Sequence, residues 1–197
     1  LATLMMTWVM PVYAGSDVEH AKYLVESRKV AQAFMQTLGG ALKNQLAGGA
    51  ESAIGVCKQI APALAAEYSQ NGRTVKRVSL KVCNTVQGTP DAWEKTVLEN
   101  FDAEQQQGKS AAEMEVTKVT STADGRAFCY MKAIPAQPMC LQCHGQSADI
   151  SAGVKALLSK EYPLDQAVGY RAGQIRGAIS ISYRLADEAP NNLAVTQ

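Results

Sequence analysis

EMEVTKVTSTADGRAFCYMKAI, Glu113 to Ile134, is the stretch that decides the fold. Glu113 to Ser121 and Arg126 to Ile134 are rich in β-branched and aromatic residues, and Ala123-Asp124-Gly125 between them supplies the Asp-Gly pair of a tight reversal. The pattern predicts an antiparallel hairpin. Outward from it the same period recurs. Val75 to Val82 alternates, with Val78, Leu80 and Val82 on one side and Lys76, Arg77, Ser79 and Lys81 around them, and Gln174 to Leu185 reads as a last strand.

Between and before these strands the period is helical. From Ser16 to about Leu46, the residues Leu24, Ala31, Met35, Leu38 and Leu42 form one stripe; Gly39-Gly40 weakens its middle and Gly48-Gly49 is a stop signal. A second helix, Ala50 to Tyr68, carries Ile54, Cys57, Ala61, Leu64 and Tyr68 on one face. Pro62 lies inside it and predicts a kink one turn after Cys57. Thr89 as N-cap, with Pro90 and Asp91 in the first turn, opens a third helix that buries Trp93, Val97, Leu98 and Phe101 and ends near Gly108. A short helix runs from about Ser151 to Lys160. Helices first and an antiparallel sheet after give an α+β fold, with a long N-terminal helix at 15–48 followed by a domain at 49–197.

A chain of 197 residues suits one core, and 47% apolar with 19% charged residues excludes wholesale disorder. A net charge of +1 argues against nucleic acid as a partner. Leu1 to Ala14 reads as the remnant of a signal peptide, because an apolar run ends in Val12-Tyr13-Ala14, a small-x-small cleavage pattern. That run is shorter than the roughly 20 residues a spanning helix needs, and no other stretch is long and apolar enough. The expectation is a periplasmic or secreted chain with no membrane span once mature.

Cys140-Leu141-Gln142-Cys143-His144 is the C-x-x-C-H signature of haem c attachment. Two thiols at this spacing can each add to one vinyl group on the same porphyrin edge, which holds the adjacent imidazole beneath the ring to bind iron. Such attachment takes place outside the cytoplasm in bacteria, in keeping with the signal remnant. Zinc would need a fourth ligand from Cys57, Cys83 or Cys129. A thioredoxin-like redox pair would follow a strand and open a helix, whereas Pro135 and Pro138 bracket this motif in a loop. The residues therefore point to one covalently attached haem c and its iron.

Of the five cysteines, three remain after haem attachment. One disulfide plus one iron ligand accounts for them. Cys83 ends one predicted strand and Cys129 lies in another, so the two are candidates for a bond. Cys57, on the apolar face of a helix beside a proline, is then the candidate for the axial position opposite His144, since a buried thiolate is costly unless a metal holds it. Met131, Met139 and His20 are the alternatives.

Residues from about Ala50 to Arg184 resemble the PAS-like single-haem c-type domains, which occur as secreted proteins and as sensor portions of bacterial histidine kinases. The resemblance is carried by Ile54-Gly55-Val56-Cys57-Lys58, Arg77 to Val82, Trp93-Glu94, Cys140 to Gly145, Tyr162 to Tyr170 and Gly173 to Ser180. It implies a PAS-like antiparallel sheet with flanking helices, and iron held by His144 and the helix cysteine, here Cys57. This chain has Cys83-Asn84-Thr85 where the family usually carries an Arg-Asn-Pro-like turn. Arg171 and Arg176 are the candidates to pair with haem propionates.

With imidazole and thiolate on its two faces the iron has no open site, so a non-enzymatic role is expected. A thiolate lost on reduction, on a kinked helix, suits a redox or diatomic-gas sensor for CO or NO. Fixed ligands would suit a periplasmic electron-transfer cytochrome. Either needs a redox partner or signalling protein, and the first helix offers a contact surface, including for a homodimer.

Overall fold

The computed structural model of the chain describes residues 14–122 and 125–186. Residues 1–13 of the expected signal remnant, Leu1 to Ala14, and Ala123-Asp124 of the predicted turn lie outside the described residues. Strands β1 (Arg73–Val78), β2 (Glu115–Thr122), β3 (Gly125–Pro135) and β4 (Ile175–Arg184) form one antiparallel sheet in the order β1-β4-β3-β2. The hairpin is as predicted: β2 pairs with β3 from Glu115↔Lys132 to Thr122↔Gly125. The last strand in sequence, β4, lies between β1 and β3.

Strand parity divides the core. Val75, Phe128, Tyr130, Ile179 and Ile181 share one face with helix α1 (Ala14–Leu46) and helix α3 (Ala61–Tyr68). Val78, Met131, Ala133 and Ala178 share the other with helix α5 (Ala92–Gln106). From α1, Val30, Phe34 and Leu38 enter the first cluster, so the long helix and the sheet have one core. Gly39-Gly40 does not interrupt α1. Helix α7 (Ala152–Glu161) closes one end, packing Val154 and Leu158 against Ile54 of helix α2 (Ala50–Gly55). Among the described residues no helix is long and apolar enough to cross a membrane.

Three local expectations are corrected. The predicted Ala50–Tyr68 helix is three pieces: α2, a π-helical turn at Val56–Ile60 and α3. Pro62 opens α3, and the irregularity comes one turn earlier than a proline kink would put it, on Cys57 itself. The N-cap of α5 is Asp91 and not Thr89. Its carboxylate accepts the Glu94 amide at 2.8 Å, while the Glu94 carboxylate accepts the Asp91 amide at 2.9 Å. This reciprocal pair satisfies two amides that Thr89 could not reach, and the Thr89 hydroxyl donates instead to the carbonyl of Thr85 at 2.7 Å. Finally, β1 stops at Val78, because the Ser79 amide turns away to the Gly88 carbonyl at 3.1 Å. Helix α4 (Thr85–Gly88) makes that turn. Beside it β4 needs a glycine, since a Cβ on Gly177 would collide with the Val78 carbonyl oxygen.

The cap yields a prediction. Asp91→Ala should lower stability by about 1 kcal/mol, read as a lower urea midpoint with an unchanged denaturant slope.

Candidate functional site

On the α1 face of the sheet, two adjoining cavities of about 390 and 160 Å³ share a wall built from Cys57, Arg77, Cys83, His144, Tyr162 and Arg176. The smaller one is otherwise apolar for most of its lining, with Leu38, Leu42, Ile54 and Leu158 from α1, α2 and α7. Cys140, Cys143 and Met139 line the smaller cavity too.

The C-x-x-C-H segment is not the loop expected. A 3₁₀ turn, Pro138–Cys140, leads straight into helix α6 (Leu141–His144). Residues three apart on such turns lie on one side, which brings Cys140 and Cys143 to the same cavity. The turn can close only on a glycine: a Cβ at Gly145 would sit 2.5 Å from the Leu141 carbonyl oxygen. Beyond it the motif is bound to the 167–170 segment. The Tyr170 amide donates to the His144 carbonyl at 3.0 Å, and the Gly169 amide to the Gly145 carbonyl at 2.8 Å.

His144 is held in one tautomer. Its Nδ1 lies 2.8 Å from the Ala167 carbonyl, which can only accept, so Nδ1 carries the hydrogen and Nε2 is left with its lone pair. Burial, reinforced by the neighbouring Arg176 guanidinium, pushes the imidazole down to about 3. It is therefore neutral, as a metal ligand must be. In this structure that lone pair accepts a hydrogen bond from Arg176 Nη2 at 3.4 Å.

Cys57 sits in the π-helical turn, where the Ala61 amide reaches back five residues to the Val56 carbonyl. Such widened turns are rare and recur at functional sites. An ion pair between Lys58 and Glu161 ties this turn to α7. Cys57 and His144 thus line the same cavities from different elements, as the sequence reading required. Of the alternative ligands, Met139 lines the smaller cavity. His20 does not; it contacts the Thr117 hydroxyl at 3.1 Å and packs on Phe128. Met131 is buried on the α5 face.

The expected Cys83–Cys129 bond is not formed, and both are free thiols. Cys83 lines the cavity wall, where burial and the Asp165 carboxylate push its thiol up to about 12. Cys129 lies opposite Ser182 and next to Met131's face neighbours, on the α5 side, where Asp91, Glu94 and Lys76 surround it. The sheet stands between them. Burial likewise raises the Cys143 thiol, to about 11.

Two arginines face the cavities without a carboxylate partner among the described residues. Arg176 is buried, donates to the Ser79 hydroxyl at 3.1 Å, lies over the Tyr170 ring and leaves its Nε unsatisfied. Arg77, beside it, has its guanidinium acidity increased by burial and by the charge of Arg176. Arg171 is exposed and lines neither cavity, whereas Arg77 lines both. The signal for Arg77 was present in the strand parity: it shares a face with Val75 and so puts a charge on the apolar side. Tyr162, whose buried hydroxyl has no partner, was also missed.

A buried anionic group with a large apolar body would satisfy this wall. A haem fits the residues present: two thiols on one side, a neutral imidazole with an unprotonated Nε2, and two guanidinium groups for carboxylates. A bare ion fits less well, since no three His, Cys, Asp or Glu side chains among the described residues converge closely enough to hold one.

The family model Tll0287-like matches residues 16–184, and the chain belongs to that family. Its fold is similar to that of a cyanobacterial protein whose crystal structure is described as that of the heme-protein Tll0287. The TM-score is 0.61 at 23% identity, over 85% of this chain and 98% of the other. No curated protein sequence matches.

The separation of the cysteines is testable. Alkylation of denatured, unreduced protein should label both Cys83 and Cys129, and Cys129→Ser should leave stability within about 0.5 kcal/mol. A bond between them would leave both unlabelled and cost about 2–4 kcal/mol when removed.

Proposed function

We propose, from membership of the Tll0287-like family and the make-up of the cavity wall, that this chain is a haem protein with one haem c joined to Cys140 and Cys143. His144 and Cys57 are its axial iron ligands, and its role is that of a redox or diatomic-gas sensor outside the cytoplasm. The observation that carries the reading is the convergence of Cys57, Cys140, Cys143 and His144 on one cavity system. The heme-protein of similar fold supports it.

When bound, such a group supplies an iron that changes oxidation state by one electron and can exchange an axial ligand. The chain's own residues would do the following. Cys140 and Cys143 fix the edge of the ring. His144, oriented by Ala167, directs Nε2 inward. Arg77 and Arg176 hold the propionates, which also removes the cost of two unpaired buried cations. Cys57 gives an anionic, electron-donating sulfur that favours ferric iron. Cys57 would be the exchangeable ligand of such an iron, its sulfur able to hold a proton once released; its π-helical turn would link that exchange to Leu38 and Leu42 of α1, which line the smaller cavity with it. With both axial positions filled from the chain, no catalytic residue is assigned.

A second reading, electron transfer with fixed ligands, is favoured by one observation. Val86, Leu164 and Val168 are exposed apolar residues. They lie on segments cross-linked beside the cavity by the Gln166 amide and Val82 carbonyl, 2.9 Å. Such a patch suits transient docking of a redox protein.

Two measurements test the reading. The mass of the denatured protein should include one haem, and Cys57→Ser should keep that mass while changing the ferric spectrum; an unchanged spectrum removes Cys57 as ligand. Carbon monoxide added to dithionite-reduced protein should shift the spectrum promptly if Cys57 leaves, whereas no shift would move the role to electron transfer.

A further inference from the structure

Tyr162 ends α7, and its ring packs with Ile54, Ile150, Val154 and Leu158, leaving the residue 8% exposed. Its hydroxyl is one of four buried side-chain polar atoms without a partner among the described residues. Two of the four, Tyr162 Oη and Arg176 Nε, belong to residues of the cavity wall. A buried hydroxyl left unpaired costs its full desolvation, so an acceptor at this place is to be expected.

The fold supplies one acceptor on the same wall, a sulfur to which Tyr162 Oη makes no bond in this structure. Lys58 and Glu161 are ion-paired. They are the chain neighbours of Cys57 and Tyr162, so this clamp brings those two side chains to the same stretch of wall, where both line both cavities. Pro163 keeps the backbone of Tyr162 out of the helical region, at φ −137° and ψ 69°.

We propose that Tyr162 is a positioning residue whose phenol O–H donates a hydrogen bond to the sulfur of Cys57 when that sulfur is an iron ligand. The inference rests on the ligand assignment made above. A tyrosine hydroxyl carries its proton at neutral pH and is a donor. A donor on a coordinated thiolate draws electron density off the sulfur, weakens its donation and stabilises the ferrous state. Tyr162 would thereby set how readily Cys57 is released.

Tyr162→Phe keeps the ring and deletes only the hydroxyl. It should shift the one-electron equilibrium about tenfold toward ferric, a midpoint potential lower by about 59 mV, and slow carbon monoxide uptake by the reduced protein several-fold. An unchanged potential in a folded variant would overturn the proposal. In the unaltered protein, the iron–sulfur stretching frequency should move on transfer to D₂O, and no movement would equally overturn it. The outcomes are separable from failure of the ligand assignment: if Cys57→Ser changes the ferric spectrum while Tyr162→Phe and D₂O change nothing, only the hydrogen bond is wrong. If Cys57→Ser changes nothing, the assignment itself falls.

Discussion

The hydrogen bond from His144 Nδ1 to the Ala167 carbonyl is the constraint on which the site depends. It decides the tautomer, and with it the direction in which the ring offers a lone pair. The carbonyl is in place because the 162–170 segment is itself pinned. The Gln166 amide donates to Val82 and the Asp165 carboxylate accepts the Ala167 amide at 2.8 Å. The Lys81 ammonium donates to the Val168 carbonyl at 3.1 Å. Segments far apart in the chain thus meet at one short loop, and each contributes a cavity residue: Cys83, Tyr162 and His144. Steering of an imidazole by a backbone acceptor is the usual way a protein fixes a metal-binding nitrogen.

The electrostatics of the wall follow from the sheet. β1 and β4 each carry an arginine to the same cavity, Arg77 and Arg176, and no described carboxylate answers them. Protein interiors do not keep unpaired cations at no cost. The arrangement is stable only with an anion at the wall or water in the cavity, and the proposed haem brings two carboxylates on an apolar body. Those charges add to burial in keeping His144 neutral, so the features that would hold the propionates also suit the proposed iron ligand.

Much of this was legible in the sequence. The hairpin followed from its alternation and its Asp-Gly pair, and the α1 stripe from its spacing. The C-x-x-C-H motif pointed to the proposed haem without any fold. What escaped were features in which the chain's own local rules are overridden. A π-helical turn has no residue signature, and Pro62 drew attention one turn too late. The Cys83–Cys129 pairing, expected from one cysteine ending a predicted strand and one within another, does not form: β1 ends before Cys83, which goes to the cavity wall, while Cys129 stays on the α5 side.

The widened turn at Val56–Ile60 has a consequence for how this protein can vary. A π-helical turn is an α-helix holding one residue more than its pitch allows. Removing a single residue there would let α2 and α3 merge into one continuous helix without breaking any other element. The cost would fall on one side chain: everything before the deletion would turn by about 100° relative to everything after it, and Cys57 could not stay aligned with both. One codon therefore separates a helix that presents a thiol to the cavity from a better-formed helix that does not.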